Sequence, residues 1–250
     1  MNPFRPHWLK AGPGIAKDAP PKQGFALLLD VIARNWWELI QLNLLVILFS
    51  LPLITFPAAL IAAARICVLM LEDRPVYLGR DFLETFRARF AKATLLGAAA
   101  LTTIGVSTFA ALTFLNAARA NLIFALPLTI SAATALFALI ASAYAVVLLA
   151  MRDQSLASLL KRALLGALLR PLPALAALCV VAILWLLHVV FYPASIFMPA
   201  VINFSFGMLA ISFGVHQAAV RLLASQGAME GTAHRGGSAQ SAHNKGKEPS

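Results

Sequence analysis

LIFALPLTISAATALFALIASAYAVVLLAM, residues 122–151, carries no charged side chain. A helix of that length reaches about 45 Å, against a hydrocarbon core of about 30 Å. An unbroken apolar run this long reads as a membrane span, entered around Pro127. Similar blocks lie on both sides of it. The chain has 250 residues, 60% hydrophobic and 12% charged, where a soluble domain is nearer half apolar and a quarter charged. The excess falls in blocks, so the fold class is all-α, a polytopic transmembrane helical bundle of about six spans in three hairpins.

The first block, Trp37 to Leu71, is about 50 Å long as a helix and is broken by Pro52 and Pro57. It reads as a hairpin of two short spans, Trp37 to Leu53 and Pro57 to Leu71, with a re-entrant hairpin as the alternative. Ala93 to Leu115 is a third span, followed by a polar turn at Asn116, Arg119 and Asn121. Residues 122–151 are the fourth. Leu172 to Phe191 is the fifth, with Pro173 in its first turn, and Tyr192, Pro193 and Pro199 form the next turn. Ala200 to Leu223 is the sixth. The domain reading is a flexible N-terminal segment 1–23, a membrane domain 24–224 and a disordered tail 225–250.

Lys and Arg set the orientation. With the N-terminus, the Glu72–Lys92 loop, the Arg152–Arg170 loop and the tail on one side, that side holds all basic residues except Arg119 and Arg65. The rule that cytoplasmic loops are basic then makes the protein multi-pass in the cell inner membrane, with N- and C-termini cytoplasmic. The net charge of +10 points to anionic lipid and not to nucleic acid, because the cations sit in short stretches between apolar blocks.

Three of these basic-side segments are amphipathic. Their apolar stripes are Phe25, Leu28, Leu29, Ile32, Trp36; then Phe82, Phe86, Phe90, with Arg80, Arg87, Arg89 and Lys92 around them; then Leu156, Leu159, Leu160, Ala163, Ala167, with Lys161 and Arg162. Each is expected either in the membrane interface or packed under the bundle. Each precedes a hairpin, and Leu51-Pro52-Leu53-Ile54-Thr55 is echoed by Leu126-Pro127-Leu128-Thr129-Ile130, which suggests a threefold repeat.

Candidate functional residues are few. Arg65 is the one clear charge inside a span, a functional candidate by default or a snorkelling side chain. Asn43 and Gln41 on the facing span are its expected hydrogen-bond acceptors. His188 and His216 are expected at depths too different to share a metal. Cys67 and Cys179 read as buried small hydrophobes. The third and sixth spans are rich in Gly, Ser and Thr, which favours close helix packing. No Walker A loop, GxSxG, HExxH or CxxC pair occurs, so the expectation is no catalytic residue, no metal site, no cofactor and no enzyme.

Asn43-Leu44-Leu45, Leu51 to Thr55, Ala58 to Ala64, the charged turn Glu72–Arg74 and Asp81 to Phe90 occur in that order. Over Asn43 to Lys92 the chain resembles the YesL-like family of bacterial membrane proteins with a domain of unknown function, in which phenylalanines spaced by four alternate with basic residues. Phe82, Phe86 and Phe90, with Arg87 and Arg89, match. Pro57 departs from the pattern, which has a small residue such as glycine there, and Arg65 departs from an apolar or aromatic position. The resemblance implies no catalytic residues. Members are often encoded near carbohydrate uptake transporters, which implies an accessory role with a sugar ABC transporter permease or ATPase. The expected function is a non-enzymatic accessory or scaffold in the lipid bilayer, docking through Phe82–Lys92 and Leu159–Arg170. The alternatives are a small solute transporter or channel built on Arg65, and a lipid-binding membrane-shaping protein.

Overall fold

The computed structural model describes residues 24–245, with side chains from residue 24 to residue 224. The N-terminal segment 1–23 lies outside the described residues. Eight α-helices run in order: α1 Phe25–Arg34, α2 Trp36–Ser50, α3 Phe56–Leu71, α4 Leu78–Ala120, α5 Ala125–Met151, α6 Leu156–Leu169, α7 Pro171–Val190 and α8 Phe204–Lys245. Among the described residues there is no strand. The helical backbone of α8 covers part of the stretch expected as a disordered tail, but side chains beyond Ala224 lie outside the described set.

Five helices are long and apolar enough to cross a membrane, or six if α1 and α2, bent by 80° where they meet, count as one. The expected hairpins are present as α2–α3, α4–α5 and α7–α8, with α1 and α6 preceding the first and third. One boundary differs. The amphipathic Leu78–Lys92 stretch is not a separate helix; it is the opening of α4, continuous with the third span. The sequence changes polarity at Ala93 but has no proline there, and polarity alone does not stop a helix.

Buried α3 is the centre of the bundle, touched by α2, α4, α5 and α8. Ala58, Ala59, Ala62, Ala63 and Ala64 are almost fully enclosed, since small side chains let neighbouring helices close in. From α2, Leu39, Leu42, Asn43 and Val46 face inward, the spacing of one helical face. Phe82, Phe86 and Phe90 also turn inward. Phe82 is fully buried, and Phe49 of α2 lies 5.4 Å from the Phe82 ring and 5.1 Å from Phe86. The phenylalanine side of the Phe82–Lys92 stretch is therefore engaged with the bundle. Aromatic rings gain more from packing on one another than from facing headgroups, so the exposed face of α4 here is Arg80, Glu84 and Arg87.

The amphipathic stripes of α1 and α6 divide. On α1, Phe25 and Leu29 are exposed while Val31 is buried. On α6, Leu159, Ala163 and Ala167 pack under the bundle and Leu160, Leu164 and Leu168 face outward. The Tyr144 ring of α5 lies on Gly166, and its hydroxyl donates to the Arg170 carbonyl at 2.7 Å. Cys67 is buried as expected, but Cys179 is exposed on the outer face of α7.

The first hairpin is short. Its apex meets α4 at Thr94, whose hydroxyl donates to the Ile54 carbonyl at 3.4 Å, and at Gly97, where a Cβ would stand 2.3 Å from Pro57 Cγ. Beyond Gly97, α4 rises about 35 Å further to Ala120. Only 6% of the apolar window of α4 is buried, against 61% for α3, so the outer part of α4–α5 stands clear of the first hairpin. Replacing Gly97 with Leu should drive a side chain into Pro57 and lower the thermal unfolding temperature in detergent. Gly105→Leu, on the same helix with nothing within 4 Å of its added Cβ, should leave that temperature within a degree or so of wild type. Equal behaviour of the two variants would remove the proposed contact between α3 and α4.

Candidate functional site

Two polar constellations stand out. The first is inside the bundle. Between α7 and α8 the chain turns through a cis Tyr192–Pro193 bond and re-enters through a π-helical turn, Pro199–Asn203. A helix start leaves backbone N–H groups without partners, and at membrane depth water does not supply them. Asn43 of α2 does. Its Nδ2 donates to the carbonyls of Pro199 at 2.9 Å and Ala200 at 2.6 Å. Its Oδ1 accepts from the amides of Phe204 at 2.9 Å and Ser205 at 3.1 Å. Asn43 is fully buried. Its polar atoms are thus engaged by α8, and the expectation that it serves Arg65 is corrected.

Beside it, Asn203 is 1% exposed, and both of its side-chain polar atoms lack a partner among the described residues. The sequence reading missed Asn203; its only signal was an amide within an apolar run that follows Pro199.

The second constellation lies at the basic end, where the α5–α6 connection ties α4 to the start of α6. Arg65 of α3 is partly exposed and has no hydrogen bond or ion pair among the described residues. Its charge and that of Asp153 both act on Arg89 of α4. Lys92 donates to Asp153 Oδ1 at 2.6 Å and to the Gln154 carbonyl at 3.0 Å. Arg162 of α6 donates from Nη1 to Gln154 Oε1. Arg89 Nη1, Arg162 Nε and Gln154 Nε2 are buried without partners. Lys92 and Arg89 thus act on the Asp153 carboxylate, while Arg65 acts on Arg89 and Arg162 joins through Gln154. Arg87 points outward, away from this group.

Asp153 is the stitch between α4 and the connection to α6. The hydrogen bond from Lys92 holds its carboxyl below the usual carboxylate range, with burial acting the other way. Its folded pKa is depressed, so the tie contributes fully above the unfolded value near 3.9 and is lost only as pH falls through the lower folded value.

The histidines are separate, as their spacing implies. His188 Nδ1 lies 3.0 Å from the Ser195 carbonyl in the α7–α8 turn, while His216 Nε2 lies 3.2 Å from Glu72 Oε1 at the end of α3. No group of three or more His, Cys, Asp or Glu side chains suited to a metal occurs among the described residues.

A family model described as "Protein of unknown function, DUF624" matches residues 39–111. The matched region holds most of α2, all of α3 and the first three quarters of α4, and includes Asn43, Arg65 and Phe82 to Lys92. No curated protein and no solved structure matches the chain.

Asn43→Leu keeps the volume but leaves two carbonyls and two amides without partners. At about 1–3 kcal/mol for each buried group left unpaired, the loss should exceed about 2 kcal/mol even after rearrangement. Thermal unfolding in detergent should show a large drop, while Gln41→Leu on the same helix should show little. A small shift for Asn43→Leu would mean that α8 holds its start without α2.

Proposed function

We propose that this protein is a non-enzymatic accessory or scaffold of the cell inner membrane, with both termini cytoplasmic, that holds a partner against its basic end. The observation that carries this reading is the surplus of unpaired cations there. Arg87, Arg152 and Lys161 are exposed and make none of the ion pairs among the described residues. Exposed cations without ion-pair partners steer and orient an acidic partner. The docking face on α4 is the Arg80–Arg87 side, since the phenylalanines are spent on packing. The resemblance to YesL-like proteins supports a sugar ABC transporter permease or ATPase as that partner.

Crosslinking in intact membranes followed by purification in mild detergent tests this. Wild type should bring down an ABC permease or ATPase in stoichiometric amount, and Arg80→Glu with Arg87→Glu should lose it at unchanged chain level. Recovery of the chain alone would overturn the accessory role. Orientation has its own test in a Cys179→Ser background. Ile123→Cys, at the far end, should react with a membrane-impermeant thiol reagent from outside the cell, and Leu53→Cys, at the apex of the short hairpin, should not. Labelling of Leu53→Cys from outside would make the first hairpin a full crossing.

A second reading, a small solute transporter or channel, rests on the broken start of α8. Interrupted helices at membrane depth form the binding sites of many transporters, and Asn203 offers an unpaired amide there. On that reading Asn203→Leu abolishes solute uptake in vesicles without lowering the protein level, and unchanged uptake counts against it.

A further inference from the structure

A groove opens between α1, α7 and α8. Its cavity, about 460 Å³, is walled by Phe25 and Leu28 of α1, Ala176 and Val180 of α7, and Ala210 and Phe213 of α8. A smaller cavity, about 230 Å³, adjoins it and shares Arg170 and Ala218. Arg221 of α8 lines this second space. The composition is graded along the groove. Its deep end is apolar, and its shallow end carries two guanidinium groups. Neither Arg170 nor Arg221 makes an ion pair among the described residues. Glu72, the carboxylate nearest the wall through His216, is held by His216 at 3.2 Å and Arg74 at 3.5 Å.

The length fits one class of molecule. From Arg221 to Ala210 along α8 the groove runs about 16 Å, close to half of a bilayer core of about 30 Å. A groove that is apolar over one leaflet's depth and cationic where headgroups lie matches a phospholipid end to end. Basic pockets between membrane helices on the cytoplasmic side bind acidic headgroups for this reason. The neighbouring α1 presents Phe25 and Leu29 outward, which places it at the same interface.

We propose that this groove holds one anionic phospholipid from the leaflet on the basic side. Its phosphate sits between Arg170 and Arg221, and an acyl chain lies along Ala176, Val180 and Phe213. The lipid fills the seam between α1 and the packed α7–α8 pair, where Gly214 lies against Pro173 and Ala177, and so fixes the third hairpin to the first amphipathic helix. The site is separate from the Arg80–Arg87 face, and its occupancy does not depend on any protein partner.

Native mass spectrometry of the full chain, delipidated in detergent and titrated with phosphatidylglycerol or phosphatidylcholine, tests the proposal. Wild type should retain one phosphatidylglycerol per chain in preference to phosphatidylcholine. Arg170→Gln with Arg221→Gln should weaken that binding about thirtyfold, the loss expected for two interfacial arginines on acidic lipid. Ala176→Trp, which fills the groove from an exposed position, should block it, and Arg152→Gln, outside the groove, should leave it unchanged. Thermal unfolding of each variant separates lost binding from lost folding. Equal retention of the two lipids, or a double variant that binds phosphatidylglycerol as wild type does, would overturn the proposal. So would a photo-crosslinker at Val180 that captures residues 1–23 of the chain in place of lipid.

Discussion

Backbone polar groups at membrane depth have no water to turn to, and this chain meets that constraint at its weakest point with one side chain. Where α8 begins in a π-helical turn, the carbonyls of Pro199 and Ala200 and the amides of Phe204 and Ser205 all end on Asn43. A side-chain amide offers two N–H donors and a carbonyl oxygen with two lone pairs and carries no charge, so it can meet all four groups, where aspartate would serve only the two amides and leucine none. The consequence extends beyond the junction. Asn43 fixes α2 to α8, and α3 is then closed in by α2, α4, α5 and α8. The alanines of α3 are useful because the neighbours are held close enough to touch them.

A second pairing tightens the same core. Pro57 departs from the small residue expected at its position by family resemblance, yet the missing glycine stands across from it. Gly97 on α4 leaves the space that the Pro57 ring occupies. Proline in the first turn of α3 costs no hydrogen bond there, so the pair brings α3 and α4 together at the apex of the first hairpin without loss to either helix.

Much of this was legible in the sequence because a membrane simplifies the reading. Apolar runs located the helices, and the prolines and asparagines between them located the turns. The continuity of α4 was not legible, since the change from basic to apolar at Ala93 looks like a boundary while the backbone has no cause to break. Nor was the direction of Phe82, Phe86 and Phe90. Their spacing places them on one face, but whether that face meets Phe49 or the headgroups depends on a residue more than thirty positions away. Asn43 presented the same difficulty more sharply. A polar residue in a span suggests a nearby charge, and Arg65 was the one clear charge inside a span; the actual partners are over 150 positions on. Arg162 and Asp153 were visible as charges, but their contacts with Gln154 and Lys92 required the α5–α6 connection to lie beside α4.

The distribution of burial says which parts of the molecule are finished and which await company. The core around α3 is closed. The outer part of α4–α5 is apolar and exposed, a condition that lipid satisfies without help. Cations are different. Lys92 and Arg89 share Asp153, Arg162 bonds Gln154, and Arg89 Nη1, Arg162 Nε and Gln154 Nε2 are left buried and unpaired; buried donors without partners are costly. A protein selected for stability alone would add a carboxylate to such a cluster or remove an arginine from it. Keeping the surplus makes sense if negative charge arrives from outside the chain. On the reading proposed above, that charge is an acidic protein surface on the α4 face and a lipid phosphate beside Arg170 and Arg221.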